Sequence, residues 1–95
     1  MSGVTTLANI FTYQEALGKA LTWSKTKPYS MNKEAAQVYI EAIPMAEIEG
    51  QQMYNNPARG RAIQILYILS NLQGWRGEEA REAKAALKKQ YEQDK

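Results

Sequence analysis

The chain has 95 residues, a length typical of a single domain with one modest hydrophobic core. Hydrophobic residues make up 44% and charged residues 23%, which is typical of a globular protein and too apolar for a disordered one. The absence of Cys and His excludes disulfides, thiolate nucleophiles and catalysis by Ser-His or Cys-His pairs. A formal net charge of +2 is too small to indicate a nucleic-acid-binding protein by itself.

The sequence predicts neither secretion nor a membrane partner. No basic segment followed by an apolar run opens the chain, and the longest apolar stretch, residues 62–72, is interrupted by Gln64, Ser70 and Asn71. The lack of Cys fits a reducing compartment. We therefore expect a cytoplasmic protein.

A first helix is predicted at residues 12–26. Thr12 followed by Glu15 is the pattern of a capping box, in which two side chains bind backbone N–H groups at the helix start. Pro28 prevents the helix from continuing. The apolar residues before it are expected to form an N-terminal arm, residues 1–11, whose end docks on the core.

Two shorter helical segments are predicted next. Asn32 is a suitable N-cap for the first of them, whose apolar face extends to Ile43. Pro44 lacks a backbone N–H, so it either kinks this helix or begins a new one. We expect a short segment at residues 44–54.

The fourth predicted helix covers residues 57–73, with Asn56 as its N-cap and Gly74 at its end. It is apolar on nearly every side. A helix with this pattern is typically surrounded by the others, so Leu66 and Leu69 are expected to be fully buried.

The last helix is predicted to follow Gly77 and to run to about residue 90, which leaves residues 91–95 as a polar tail. Its apolar seam is narrow. The prediction is an all-α fold, a compact bundle of four to five short helices in one domain, residues 1–95. Because one short bundle would leave the arm and this seam partly uncovered, we expect a homo-oligomer, a dimer or larger.

The acidic residues do not predict an enzyme. Glu47 and Glu49 lie on different sides of a helix, and Glu78 and Glu82 share a face beside Arg81, as in an ion-paired surface. No carboxylate run has the spacing of a calcium loop, and the Gly residues near position 75 do not form a phosphate-binding motif. The sequence therefore predicts no catalytic residue, no metal and no cofactor.

Cationic and aromatic residues near the first loop are candidates for ligand binding. Aromatic rings beside lysines suit base stacking and phosphate contact, and the same pattern suits a helix end plugged by an aromatic ring. The residues of this group are Trp23, Lys25, Lys27 and Tyr29.

Arg59 and Arg61 form a second candidate group in the first turn of the fourth helix, where the helix dipole disfavours cations. With Asn56 and Gly60 they suit a phosphate or an acidic partner surface. The alternative is pairing within the chain, with Glu47 or Glu49.

Arg76 is a third candidate, because it precedes the free N–H groups that begin the last helix. The alternative to an anion site is that this segment only ends one helix and begins the next. A helix-turn-helix arrangement for DNA binding is disfavoured, since Glu78, Glu79 and Glu82 would repel phosphates.

Residues 6–13 (TLANIFTY) resemble the opening of a family of small phage proteins, the anti-CBASS sponges, which sequester the cyclic oligonucleotide signals of bacterial anti-phage immunity. The resemblance implies that Tyr13 stacks on a ligand base and that Lys25 or Lys27 contacts the ligand. The chain departs from the family's two long helices by adding the segment at Pro44 and the helix after Trp75.

The residues and the resemblance together suggest a non-enzymatic, phage-type counter-defence protein in an infected or lysogenic bacterial host. It would bind and sequester an anionic, nucleotide-like immune signal. Two alternatives remain, a protein-interaction inhibitor of a host defence effector, similar to an anti-CRISPR, and a nucleic-acid-binding regulator. The candidate ligand residues are Tyr13, Trp23, Lys25, Lys27, Tyr29, Asn56, Arg59, Arg61 and Arg76.

Overall fold

A computed structural model describes residues 11–95 of the chain. In this range the structure consists of helices joined by short loops, which confirms the predicted all-α bundle. The helices are α1 (Tyr13–Ser24), α2 (Met31–Glu41), α3 (Ile43–Tyr54), α4 (Pro57–Ser70) and α5 (Glu78–Asp94). The predicted arm lies outside the described residues except for Phe11, which packs on the core.

The starts of the first two helices show what local sequence signals can predict. The capping box is confirmed, because the backbone N–H of Glu15 donates to Thr12 Oγ1 over 3.1 Å and that of Thr12 donates to Glu15 Oε1 over 2.9 Å. The N-cap of α2 is Ser30, which accepts from the backbone N–H of Lys33, so the prediction of Asn32 was wrong. Both residue types are good caps, and the earlier one adds two residues to the helix.

Asn56 and Pro57 begin α4 as predicted, with the Asn56 side chain accepting from the backbone N–H of Ala58 over 3.1 Å. The end of α4 differs from the prediction. The helix stops at Ser70 instead of residue 73, so Gly74 does not end it. The chain turns earlier because Leu72 and Trp75 are both buried in the core.

Helices α3 and α4 touch backbone to backbone at Gly50 and Gly60. A Cβ atom on Gly50 would lie 2.6 Å from the backbone nitrogen of Gly60, and one on Gly60 would lie 2.9 Å from the Gly50 Cα. Such distances leave no room for a side chain. The sequence predicted a phosphate near Gly60, but α3 occupies the space beside the Gly60 backbone.

Helix α5 packs against both α1 and α4. Ala83 and Leu87 of its apolar seam are fully buried within a single chain and Tyr91 is half-buried, so this seam gives no reason for oligomer formation. The helix also extends to Asp94, whose side chain is buried. Residues 91–95 are therefore the last turn of α5 and its cap, and the predicted polar tail was wrong.

The core lies on one side of α4. Ile65 and Ile68 are fully buried, whereas Leu66 is 45% exposed and Leu69 is half-buried. The prediction that Leu66 and Leu69 are fully buried was therefore wrong. The other helices cover this side of α4 and leave the opposite side open, where Ile63, Leu66 and Tyr67 are exposed.

Within residues 11–95, no helix combines the length and the apolar character that crossing a membrane requires.

Candidate functional site

Trp23 packs as a structural residue. Its ring stacks on that of Trp75 with 5.8 Å between centroids, and the Lys33 ammonium lies 5.4 Å from its centroid. Lys33 is itself buried and donates to the carbonyl oxygens of Thr26, over 3.2 Å, and Pro28, over 2.8 Å. The predicted alternative to ligand binding, in which the aromatic ring packs at the end of the helix, is thus confirmed for Trp23.

The exposed residues of the first loop lie far from Tyr13. Lys25, Lys27 and Tyr29 follow the C-terminal end of α1, and Tyr13 begins that helix. Twelve helical residues span roughly 18 Å. A single chain therefore does not bring Tyr13 and these residues together around one small ligand.

Tyr13 is half-buried, and its phenol oxygen has no hydrogen-bond partner among the described residues. Burial raises the pKa of Tyr13 to about 12, and the nearby charge of Arg61 opposes this effect. The ring borders a groove of about 480 Å³ whose lining includes Glu41 and Glu47. Two carboxylates at its wall disfavour an anionic ligand there.

Arg61 is occupied by ion pairs within the chain. Its Nε donates to Asp94 over 2.6 Å, and a terminal nitrogen donates to Glu47 over 2.9 Å. The hydrogen bond from Arg61 lowers the pKa of Asp94, against the effect of burial. The predicted alternative of internal pairing is confirmed for Glu47, whereas Asp94 was missed because the sequence placed it in a tail.

The rest of the second predicted group also serves the fold. The Asn56 side chain caps α4, and the Arg59 guanidinium lies 4.3 Å from the centroid of the Tyr54 ring. Arg76 lies beyond the other end of α4, a helix of 14 residues that spans roughly 21 Å. The structure therefore does not bring Asn56, Arg59 or Arg61 close to Arg76.

Arg76 instead belongs to a groove of about 610 Å³ between the end of α4 and the first half of α5, which we call the basic groove. Four of its lining residues are cationic, and none of those that the structure describes is acidic. The lining residues are Leu69, Gln73, Trp75, Arg76, Gly77, Arg81, Lys84, Ala85 and Lys88.

Three cations of α5 share one side of the helix. Arg81, Lys84 and Lys88 are spaced by three and four residues, so they lie on one side, toward the groove. Glu79 pairs instead with Lys19 of α1 over 3.0 Å. This spacing was the signal in the sequence for three groove residues that the prediction missed. Glu78 precedes Arg81 by three residues but is not among the residues that line the groove.

The start of α5 adds backbone donors to the groove. Its N-cap is Gly77, with a φ of 110°, and no side chain accepts a hydrogen bond from the first N–H groups of the helix. A φ in this region favours glycine. Glu78 and Glu79 in the first turn already complement the helix dipole, so the contribution of the helix start to anion binding is its uncapped N–H groups.

Two cations of the basic groove, Arg76 and Lys84, repel one another. Lys84 Nζ donates to the Trp75 carbonyl over 2.6 Å, and its pKa is lowered, first by burial and then by the charge of Arg76. Across residues 11–95, no carboxylate forms an ion pair with Arg76, Arg81 or Lys88. An anion in the groove would relieve this repulsion.

Comparisons of the chain with known protein families, with curated proteins and with solved structures find no match.

Proposed function

We propose that this chain is a binding protein without catalytic activity that holds an anionic, nucleotide-type ligand in the basic groove. The observation that carries this proposal is the convergence of four cations and an uncapped helix start on one groove, with no carboxylate among its described lining residues. A volume of about 610 Å³ is within the usual range for small-molecule sites.

The groove offers two kinds of contact that a nucleotide needs. Arg76 and Arg81 suit phosphate oxygens, because guanidinium groups bind them through paired, charge-assisted hydrogen bonds. Leu69, Ala85 and the edge of Trp75 supply apolar surface for a base or a sugar. Trp75 is too deeply buried against Trp23 to act as a stacking platform.

Sequestration suits this groove better than catalysis. Its described lining has no carboxylate to act as nucleophile or general base, and the chain contains no His or Cys. Lys84, whose pKa is lowered, is held by its hydrogen bond to the Trp75 carbonyl, so we assign it a binding role like that of the other three cations.

The resemblance of residues 6–13 to the anti-CBASS sponges supports a counter-defence role, in which the ligand is a nucleotide immune signal. That resemblance implies ligand contacts at Tyr13 and at Lys25 or Lys27. We assign the phosphate contacts instead to the four cations of the groove, since these converge within one chain.

Calorimetry with cyclic dinucleotides, cyclic trinucleotides and ADP-ribose derivatives tests the proposal. At least one ligand should bind with micromolar affinity or tighter. Arg81→Ala or Lys88→Ala should weaken it roughly 10- to 100-fold, as expected for one charge-assisted contact. Tyr13→Ala and Lys27→Ala should leave the affinity unchanged, and circular dichroism should report the same helix content for all four variants.

The opposite pattern, with binding lost in Tyr13→Ala and Lys27→Ala alone, would move the site to the residues implied by the resemblance. If no nucleotide binds and the protein co-purifies with a host effector, the protein-interaction inhibitor replaces this proposal. Binding of single-stranded oligonucleotides without mononucleotide affinity would favour the nucleic-acid-binding regulator.

A further inference from the structure

A set of apolar side chains on α3 and α4 is open to solvent, and we call it the outer apolar face. Its members are between 37% and 71% exposed. They are Met53, Tyr54, Ile63, Leu66 and Tyr67.

These residues form one continuous surface. Met53, Tyr54, Ile63 and Tyr67 line a shallow groove of about 210 Å³ between α3 and α4. Leu66 lies on the same side of α4, because it follows Ile63 by three residues. The Tyr39 ring, 5.5 Å from that of Tyr67, extends the surface toward α2.

The contact between Gly50 and Gly60 explains why this surface stays open. The two helix backbones touch there, so large side chains do not fit between them. Ile63 and Met53 emerge beside the contact instead, where no other described helix covers them.

We propose that two copies of this chain pair through the outer apolar face. With roughly 200 Å² for each large side chain, the exposed fractions amount to an apolar area on the order of 500 Å². Each partner in a standard interface contributes about 800 Å², of which about 60% is apolar, so the area matches one side of such an interface. It also lies in the upper part of the range for the largest apolar patch of a monomer, about 300 to 600 Å², and such patches are often functional.

The charges on this face favour a second copy as the occupant. Glu49 lines the same groove, and Arg59 lies over Tyr54 at its edge. In the described part of the chain, neither forms an ion pair. A two-fold interface places each surface against its copy, so a face with one acid and one base is complementary to itself. A strongly charged partner such as a nucleic acid finds no matching charge there.

Sedimentation velocity of the full chain tests the pairing. The wild type should sediment as a dimer at tens of micromolar, and Leu66→Glu should sediment as a monomer over the same range. Ile48→Glu is the matched control, because Ile48 is 52% exposed but lies about 140° around α3 from Met53. This control should remain dimeric.

Circular dichroism checks that each variant keeps its helix content. If Leu66→Glu does not fold, Met53→Glu at the most exposed position of the face provides the same test. A wild type that stays monomeric at high micromolar concentration would overturn the proposal, and so would an equal loss of dimer in Ile48→Glu. Either result is independent of nucleotide binding, since the cations of the basic groove are not part of this face.

Discussion

Arg61 connects three helices through a single side chain. From α4 it donates to Glu47 on α3 and to Asp94 at the end of α5. Its place near the start of α4, where the helix dipole disfavours cations, correctly predicted a compensating anion. The sequence could not identify that anion as Asp94, which is 33 residues away and joins Arg61 only when α5 packs on α4.

Asp94→Asn should lower the free energy of unfolding by about 1 to 2 kcal/mol at pH 7. The substitution removes the carboxylate that accepts two hydrogen bonds from Arg61 and leaves this partly buried cation with Glu47 alone. Urea denaturation measures the difference. Glu92→Gln, which removes an exposed carboxylate two residues earlier, is the control and should change little.

The same pair predicts a pH dependence. Arg61 lowers the pKa of Asp94 in the folded state below its ordinary value of 3.8. The stabilisation is therefore complete above about pH 4, and it is lost as the pH falls through the lowered pKa. The stability difference between wild type and Asp94→Asn should shrink between pH 4 and pH 2, and a constant difference would contradict this assignment.

Helix boundaries followed local signals where one signal was dominant. Thr12 with Glu15, and Asn56 with Pro57, determine the starts of α1 and α4. The Thr12, Glu15 and Asn56 side chains bind N–H groups within three residues, and Pro57 has no N–H to satisfy. The end of α4 depends instead on the burial of Trp75 several residues later. Packing between distant elements decided that boundary, and the local sequence carries no sign of it.

The close contact between α3 and α4 was not predictable from the local sequence either, and the Gly60→Ala substitution tests it. The new Cβ atom would collide with the Ala46 carbonyl and approach Gly50, which forces the helices apart. We expect a loss of about 1 to 3 kcal/mol in the free energy of unfolding, despite the higher helix propensity of Ala.

Gly18→Ala is the matched control in α1, where a Cβ atom would meet nothing within 4 Å. It should raise stability by up to about 1 kcal/mol through helix propensity alone. Thermal unfolding of both variants checks the contrast. Equal effects would mean that the glycine contact does not limit the approach of the helices.

At the scale of the whole molecule, the helical pattern predicted the fold class, but the net charge concealed the charge distribution. A net charge of +2 suggests no strong preference for anions. The fold nevertheless collects four cations in the basic groove, while carboxylates pair elsewhere, with Arg61 and Lys19. Which side of α5 meets α4 decides this separation, and only the assembled bundle defines it.

If the basic groove binds anions as proposed, its concentrated positive charge should make the stability of the whole molecule depend on them. Tripolyphosphate should raise the Tm, because a ligand of the folded state stabilises it by about 2.7 kcal/mol at a hundredfold excess over Kd. For a domain of this size that amounts to roughly 10 to 20 °C.

The double variant Arg81→Gln with Lys88→Gln should lose this response to tripolyphosphate. Without the anion it should be at least as stable as wild type, since the substitutions relieve repulsion in the groove. Lys25→Gln with Lys27→Gln removes the same charge outside the groove and should keep the full response. If both double variants lose it equally, the effect comes from net charge and the basic groove is not the anion site.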